Sequence, residues 1–264
     1  MNEKIIESCQ IISNEEIFPN YFKLKLEATK ISKLAIPGQF VEIKCSLERE
    51  HIIRRPFGFH SIEKNANLIS IIYEVRGSET LALSKRLSGE ELSLIGPLGN
   101  GFPIQGKVPL LVAGGTGIAP LSCLATAFAE KKVDPYFFYG CNDHKAANYF
   151  AKKPPEGELN IATMDGSFCF HGNVVELLNS YLPTSKVKFD VVYTCGPQLM
   201  MQKTYEWAKE NNLTCFASME RVMGCGFGVC LGCTLPILKD GKTSNSCVCK
   251  DGPVFNGEEI IWDE

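Results

Sequence analysis

The sequence predicts a β-barrel domain followed by an α/β domain with a parallel sheet, and then a small cysteine-rich segment. Three observations carry that expectation. Strand-like runs separated by turn residues fill residues 1–103, strands alternate with helices over 104–218, and five of the twelve cysteines crowd between 225 and 249. With 264 residues, 45% of them hydrophobic, the chain is long enough to bury two separate cores.

In the first region, "YFKLKLEA" and "LISIIYEV" alternate or run apolar over strand lengths, and "IPGQFVEIKC" sets Pro37-Gly38 as a turn before a further strand. Turn signals recur at Pro37-Gly38, Gly77-Ser78, Ser88-Gly89 and Gly96 to Gly101, a spacing suited to a small antiparallel barrel. In the second region, "VPLLVA" reads as a strand, "GGTG" as a turn and "IAPLSCLATAFAEKK" as a helix. "DPYFFYG" and "ELNIATM" are the next strands, "GNVVELLNSYL" a helix, "FDVVYTCG" a strand, and "PQLMMQKTYEWAKEN" a helix with Pro197 at or near its first turn. "LTCFAS" closes the series, and this alternation implies a parallel sheet covered on both faces. Residues 219–264 hold few large apolar side chains and are expected to need a metal centre to hold them.

Composition excludes several functions. The net charge is −3 and no Lys/Arg cluster is dense enough for nucleic acid or an anionic membrane. The longest apolar stretches are broken by glycine and proline, so no segment reads as a membrane span. The start, "MNEKIIESCQ", carries charges and lacks the apolar run of a signal peptide, which points to a cytoplasmic protein.

Clustered cysteines in such a setting bind metal or do redox chemistry more often than they cross-link. The spacing is Cys225-x4-Cys230-x2-Cys233, with Cys247 and Cys249 as candidates for a fourth ligand. Zinc sites favour two separated knuckles and need no such density of glycine. The C-x4-C-x2-C spacing with a distant cysteine is that of plant-type [2Fe–2S] centres. Gly226, Gly228 and Gly232 give the loop the freedom to wrap a cluster and aim backbone N–H groups at its sulfides.

"LLVAGGTGIAPL" is a strand, a glycine turn and a helix start, with Gly114, Gly115, Thr116 and Gly117 at the turn. Such a turn lets backbone approach a pyrophosphate, and the helix N-terminus supplies N–H donors. Pro120 stands where a third fingerprint glycine would be, so the motif departs from G-x-G-x-x-G. Cys195-Gly196-Pro197 repeats the geometry at a later strand end, where open α/β sheets bind ligands. Two such turns in one sheet point to a dinucleotide. In "IIRRPFGFHSI", Arg54 or Arg55 can hold a pyrophosphate and Phe57 can cover a ring; the competing reading is a solvated Arg pair beside a core phenylalanine.

Taken together, the barrel, the "AGGTGIAPL" loop, the late "CGP" and the C-terminal cysteines resemble the ferredoxin–NADP reductase superfamily. Within it, nearly the whole chain resembles the electron-transfer subunits of dihydroorotate dehydrogenase B. The family's R-P-[IF]-S flavin motif matches Arg55, Pro56, Phe57 and Gly58, with glycine in place of serine; Ser61 is a candidate for the missing hydroxyl. Its second flavin segment matches Ile72-Tyr73-Glu74-Val75-Arg76-Gly77-Ser78-Glu79-Thr80, with Glu79 in place of a small glycine. The family's fourth cluster cysteine lies just before "DGPVF", which favours Cys249 over Cys247.

The resemblance implies FAD, a [2Fe–2S] cluster and NAD(H) as cofactors. It also implies a hetero-oligomer with an FMN-containing dehydrogenase subunit that oxidises dihydroorotate. Related subunits serve a sulfhydrogenase or an electron-bifurcating NADH–ferredoxin:NADP+ complex, and these stand as the alternative. A redox-sensing module without turnover is a third reading, against which the intact nicotinamide loop argues. Reductases of the superfamily bind a 2′-phosphate after the strand "ELNIATM". Here that loop reads Met164-Asp165-Gly166-Ser167, so Asp165 is expected to favour the free ribose hydroxyls of NAD over NADP.

Overall fold

The computed structural model describes residues 3–46, 53–183 and 185–262. The chain begins with β1 (Ile5–Phe18) and β2 (Tyr21–Glu27), joined at Asn20, whose φ of 68° permits the tight reversal. In β2 the alternation is literal: Leu24 and Leu26 are fully buried, while Lys23 and Lys25 take the other face. There follow α1 (Ile31–Leu34), β3 (Phe40–Ile43), β4 (Arg55–Gly58), β5 (Ser61–Glu63), β6 (Leu68–Glu74), α2 (Ser78–Ser84) and β7 (Glu91–Leu98). Their strands form one seven-stranded sheet in the order β4-β3-β7-β1-β2-β6-β5, antiparallel throughout. It curls around a core that includes Leu24, Val41, Ile43, Ile71 and Leu94.

The second layer system starts with β8 (Pro109–Gly114), which is buried along its whole length, as a strand covered on both faces must be. Its alternate residues serve opposite faces. Leu111 and Ala113 pack with Leu121 and Leu124 of α3 (Ile118–Glu130). Leu110 and Val112 pack with Leu178 of α5 (Val174–Tyr181) and Trp207 of α6 (Gln198–Glu210). Between them lie β9 (Tyr136–Cys141), α4 (His144–Lys152), β10 (Glu158–Thr163), β11 (Phe170–His171), β12 (Val191–Cys195) and finally β13 (Thr214–Ser218). The strand order is β11-β10-β9-β8-β12-β13, parallel, so the carboxyl ends of β8, β9, β10 and β12 open on the same edge.

The remaining strands are β14 (Thr234–Lys239), β15 (Lys242–Cys247) and β16 (Val254–Asn256). The first two form a hairpin over Asp240-Gly241, both at positive φ (51° and 73°), which suits the twist of paired strands. One expectation needs correction here. The last segment is not held by a metal alone, because Leu235, Ile237, Phe255, Ile260 and Trp262 pack with Phe40 and Leu98 of the barrel and with Met219 and Met223. In addition β16 pairs antiparallel with β13, adding itself to the edge of the parallel sheet. Its few large apolar residues suffice because they extend an existing core rather than build one.

Candidate functional site

The turn after β8 explains its glycines. Gly115 sits at φ +54°, and a Cβ on Gly117 would overlap the Cys195 carbonyl. Gly196, at φ +150°, lies against the Gly114 backbone, where a Cβ would come within 2.9 Å of the Gly114 nitrogen. The two turns expected to hold a dinucleotide are thus packed backbone on backbone, which only residues without side chains allow. Above them opens a cavity of about 660 Å³, walled by Gly114, Gly115, Gly140, Pro197 and Met200. It is reached also by Asp143, Lys145, Asn173 and Lys203, polar groups that the sequence reading did not single out.

A second cavity of about 290 Å³ lies between the barrel and the sheet. It brings together Pro56, Phe57 and Gly58 from β4 with Ile72, Tyr73 and Glu74 from β6, and faces Thr116 and Cys195. The Phe57 and Tyr73 rings meet edge-on at 5.8 Å, forming an apolar wall suited to a flat ring system. A narrower passage of about 270 Å³, lined by Thr116, Gly196 and Glu220, lies between the two turns and the segment after β13. Glu220 stands exposed at its rim, where the surrounding protein disfavours its charge and raises its pKa while Arg76 opposes the rise. Burial holds the Cys195 thiol well above the usual thiol range, with Glu220 adding to the effect, so it stays neutral.

Other expected site residues lie off this cavity. The Arg55 guanidinium is 3.9 Å from the Glu79 carboxylate, and Glu79 is turned inward with its side chain only 8% exposed. The carboxylate expected near a phosphate therefore serves as a countercharge to the arginine. The Thr80 hydroxyl accepts from the Arg76 N–H at 2.9 Å and the Gly77 N–H at 3.3 Å, so it fixes the turn into α2. The Ser61 Oγ is 2.7 Å from Ser70 Oγ, and Ser61 is not among the residues that line the cavity beside Gly58. Asp165 is exposed and curls onto its own loop, accepting from the Ser167 N–H at 2.9 Å and Oγ at 2.6 Å. Those bonds hold its carboxyl below the usual range, and Met164 rather than Asp165 reaches the large cavity.

In the cysteine segment, the N–H groups of Val229 and Cys230 point at Cys225 Sγ, at 3.3 and 3.5 Å, and the Cys249 N–H points at Cys233 Sγ at 3.4 Å. Burial works against ionisation of Cys225, yet the amides of Cys230, Phe227 and Val229 prevail and lower its pKa. The Gly228 amide is aimed at Cys249, which also feels Cys225. Cys247 touches Cys233 as well, but its own N–H is taken by Asp251 Oδ2 at 2.8 Å. Among the described residues no three ligating groups converge on a ready-made metal position; the thiols stand as the pairs Cys225/Cys230 and Cys233/Cys249. Four thiols, three of them with amides trained on their sulfurs, are a donor set that fits an iron–sulfur cluster.

The loop rests on the barrel. Gly226, at φ +75°, lies against Glu42 of β3, where a Cβ would come within 2.6 Å of Glu42 Cγ. Glu42 is fully buried, neither carboxyl oxygen has a hydrogen-bond partner among the described residues, and burial lifts its pKa to about 7. Arg54 and Arg55 oppose that rise, and Cys225 adds to it.

Comparison with known proteins bears on the fold and on the cysteine segment. Residues 220–261 match the family model described as the iron–sulfur cluster binding domain of dihydroorotate dehydrogenase B. A Desulforamulus reducens protein named dihydroorotate dehydrogenase B (NAD(+)), electron transfer subunit, is 33% identical over 252 residues, covering 94% of this chain and 95% of its own. A Fusobacterium nucleatum protein of the same name is 31% identical, over 97% of this chain and 98% of its own. Among solved structures, an NADH-dependent reduced ferredoxin–NADP oxidoreductase described for flavin-based electron bifurcation superposes with a TM-score of 0.83 at 28% identity, covering 97% of this chain and 90% of that one. A ferredoxin–NADP+ reductase from Neisseria gonorrhoeae with bound FAD and NADP shares the fold, at a TM-score of 0.65 and 15% identity over 83% of this chain and 93% of that one. A barrel, a parallel sheet with two glycine turns and a cysteine loop, all inside a full-length match of this identity, place the chain in the family of dihydroorotate dehydrogenase B electron-transfer subunits.

Proposed function

We propose that the chain is the electron-transfer subunit that carries electrons between an FMN-containing, dihydroorotate-oxidising partner and NAD+. The observation that carries this reading is adjacency. The cysteine loop rests on β3, β3 pairs with β4, β4 walls the flavin-side cavity, and Arg76 and Thr116 lie where that cavity meets the dinucleotide side. When bound, FAD exchanges hydride with a nicotinamide and single electrons with an iron–sulfur cluster, joining two-electron to one-electron chemistry.

The chain's own groups do the rest. Arg55, poised by Glu79, supplies a fixed cation for the flavin's pyrophosphate side. Phe57, Tyr73, Pro120 and Met219 exclude water from the ring cavity. Thr116 and Cys195 face that cavity from the sheet, where a nicotinamide would lie against the flavin. Cys225, Cys230, Cys233 and Cys249 would hold the cluster, on a loop whose Gly226 rests against Glu42 of β3. The chemistry on the pyrimidine falls to the partner.

The test is reconstitution with the catalytic subunit. Dihydroorotate-dependent NAD+ reduction should require both chains, while the flavin-loaded chain alone should reduce a dye with NADH. Dye reduction without any coupling to dihydroorotate would favour a second reading, service of a bifurcating NADH-linked complex, which the structural likeness at 28% identity supports. Among the described residues no helix is long and apolar enough to cross a membrane.

A further inference from the structure

Among the described residues, Arg76 is the only one that lines all three cavities: the dinucleotide cavity, the flavin-side cavity and the passage. Its backbone is pinned, since its N–H is donated to Thr80 Oγ1 and the preceding Val75 N–H goes to the Asn20 carbonyl at 2.8 Å. The side chain, by contrast, is 76% exposed. One edge of the guanidinium is held by Glu74, with Nε and Nη2 both directed at Oε2, and Tyr21 shares in that contact. An arginine carries five N–H donors in a planar fork, so this leaves donors for a ligand in the seam.

The passage has a specific deficit. Among the described residues its wall offers the glycine turns at Gly114–Thr116 and Gly196 and, at the rim, the Glu220 carboxylate, and Arg76 is its only lysine or arginine. Lys145 and Lys203 reach the large cavity and stop there. A dinucleotide with its nicotinamide at the flavin and its adenosine in the large cavity must thread its pyrophosphate through this passage. A pyrophosphate diester carries two negative charges, which amide dipoles alone neutralise poorly and a guanidinium fork matches well.

We propose that Arg76 reaches across from the barrel to hold the pyrophosphate of the nicotinamide dinucleotide, opposite the two glycine turns. The inference rests on the dinucleotide reading above. It makes nucleotide binding a clasp between barrel and sheet, because the cation comes from one and the amides from the other. It also leaves the flavin's own pyrophosphate to Arg55.

The experiment uses the full, FAD-loaded chain as wild type, Arg76→Gln and Arg76→Lys. It measures FAD content, Kd for ADP-ribose by calorimetry, and steady-state NADH:dye kinetics. Expected for Arg76→Gln is a rise of about 10- to 100-fold in both Kd for ADP-ribose and KM for NADH, the range for one charge-assisted contact. FAD content and kcat at saturation should stay within about twofold, and Arg76→Lys should recover part of the loss by returning charge without the fork. A wild type that binds neither ADP-ribose nor NADH overturns the dinucleotide reading itself. A wild type that binds both, with an Arg76→Gln variant that binds them equally, overturns this proposal alone. Loss of FAD from Arg76→Gln overturns it too, by assigning the arginine to the flavin's pyrophosphate.

Discussion

The glycine turns at the nucleotide seam and the glycine-rich cysteine loop look alike in sequence and are built on different principles. At the seam, Gly117 and Gly196 are packed against main chain, which cannot move aside. In the cysteine loop, Gly226 and Gly228 lie against the side chains of Glu42 and Lys250, and their positive φ values of 75° and 85° set the path of the chain. The first region is fixed by contacts between main-chain atoms. The second is a path set by dihedral angles, with side chains as its neighbours. A glycine can thus be required by a neighbour's backbone or by its own dihedral angles, and only the structure says which.

That contrast can be broken. The largest expected effect is on the cysteine side: Cys225→Ser or Cys249→Ser should remove nearly all visible cluster absorbance while NADH:dye activity survives, and Cys247→Ser should keep the cluster. A normal spectrum in Cys249→Ser with a bleached Cys247→Ser reverses the assignment of the fourth thiol. Next comes Gly117→Ala, expected to destabilise the chain by about 3 kcal/mol or more in urea unfolding, since backbone must shift to admit the methyl group. Gly226→Ala, measured the same way without cluster, should cost only about 1 kcal/mol, because Glu42 can yield and φ strain is the main penalty. Equal costs at the two glycines would erase the distinction between the regions.

Arg55→Ala sharpens the picture on the flavin side. Loss of a charge-assisted contact of about 1.5–3 kcal/mol should leave FAD visibly depleted after gel filtration, with cluster content unchanged. A control comes from His60, which lines none of the three cavities and whose ring Nδ1 is 3.0 Å from Ser70 Oγ. Burial, with Lys23 adding to it, lowers its pKa from 6.5 to about 3. Between those values the folded chain binds fewer protons than the unfolded one, so stability is full above pH about 6.5 and falls as the pH drops, by up to about 1.4 kcal/mol per unit. His60→Gln should flatten that slope, and an unchanged slope would assign it to other groups. The smallest effect is expected at Asp165, where Asp165→Ser should lower the NADH/NADPH ratio of kcat/KM only slightly, since the carboxylate is exposed and already bonded to Ser167. A wild type that prefers NADPH would remove the residue from cofactor choice.

Much of this was legible in the sequence where one physical requirement dominates a short window. Continuous burial shows in "PLLVAG", alternation in "YFKLKLE", and metal-ligand spacing in Cys225, Cys230 and Cys233. Helix α4 was not legible, because only Ala147 and Phe150 of its residues are buried and the apolar period is too thin to register. The β14–β15 hairpin was hidden for a related reason: residues 242–245 are exposed on both faces, so no alternation marks the strand. Arg76, Glu220 and Lys203 meet around the cavities from three distant stretches of chain, a convergence that no local pattern encodes. Asp165 was correctly assigned to a loop, but where its carboxylate points depends on Ser167, which competes for it.

The pairing of Ser218 with Val254 has one more consequence. The whole cysteine-bearing excursion leaves the sheet from β13 and returns to its immediate neighbour β16, so its two ends are clamped side by side. The entropy of closing that loop is therefore met by sheet pairing, and it grows only slowly with the length enclosed. Such an arrangement is anchored at both ends: the Asp240-Gly241 hairpin tip can be lengthened or shortened, while Met219, Glu220 and Met223 stay tied to the flavin-side cavity and Leu235 and Ile237 to the core.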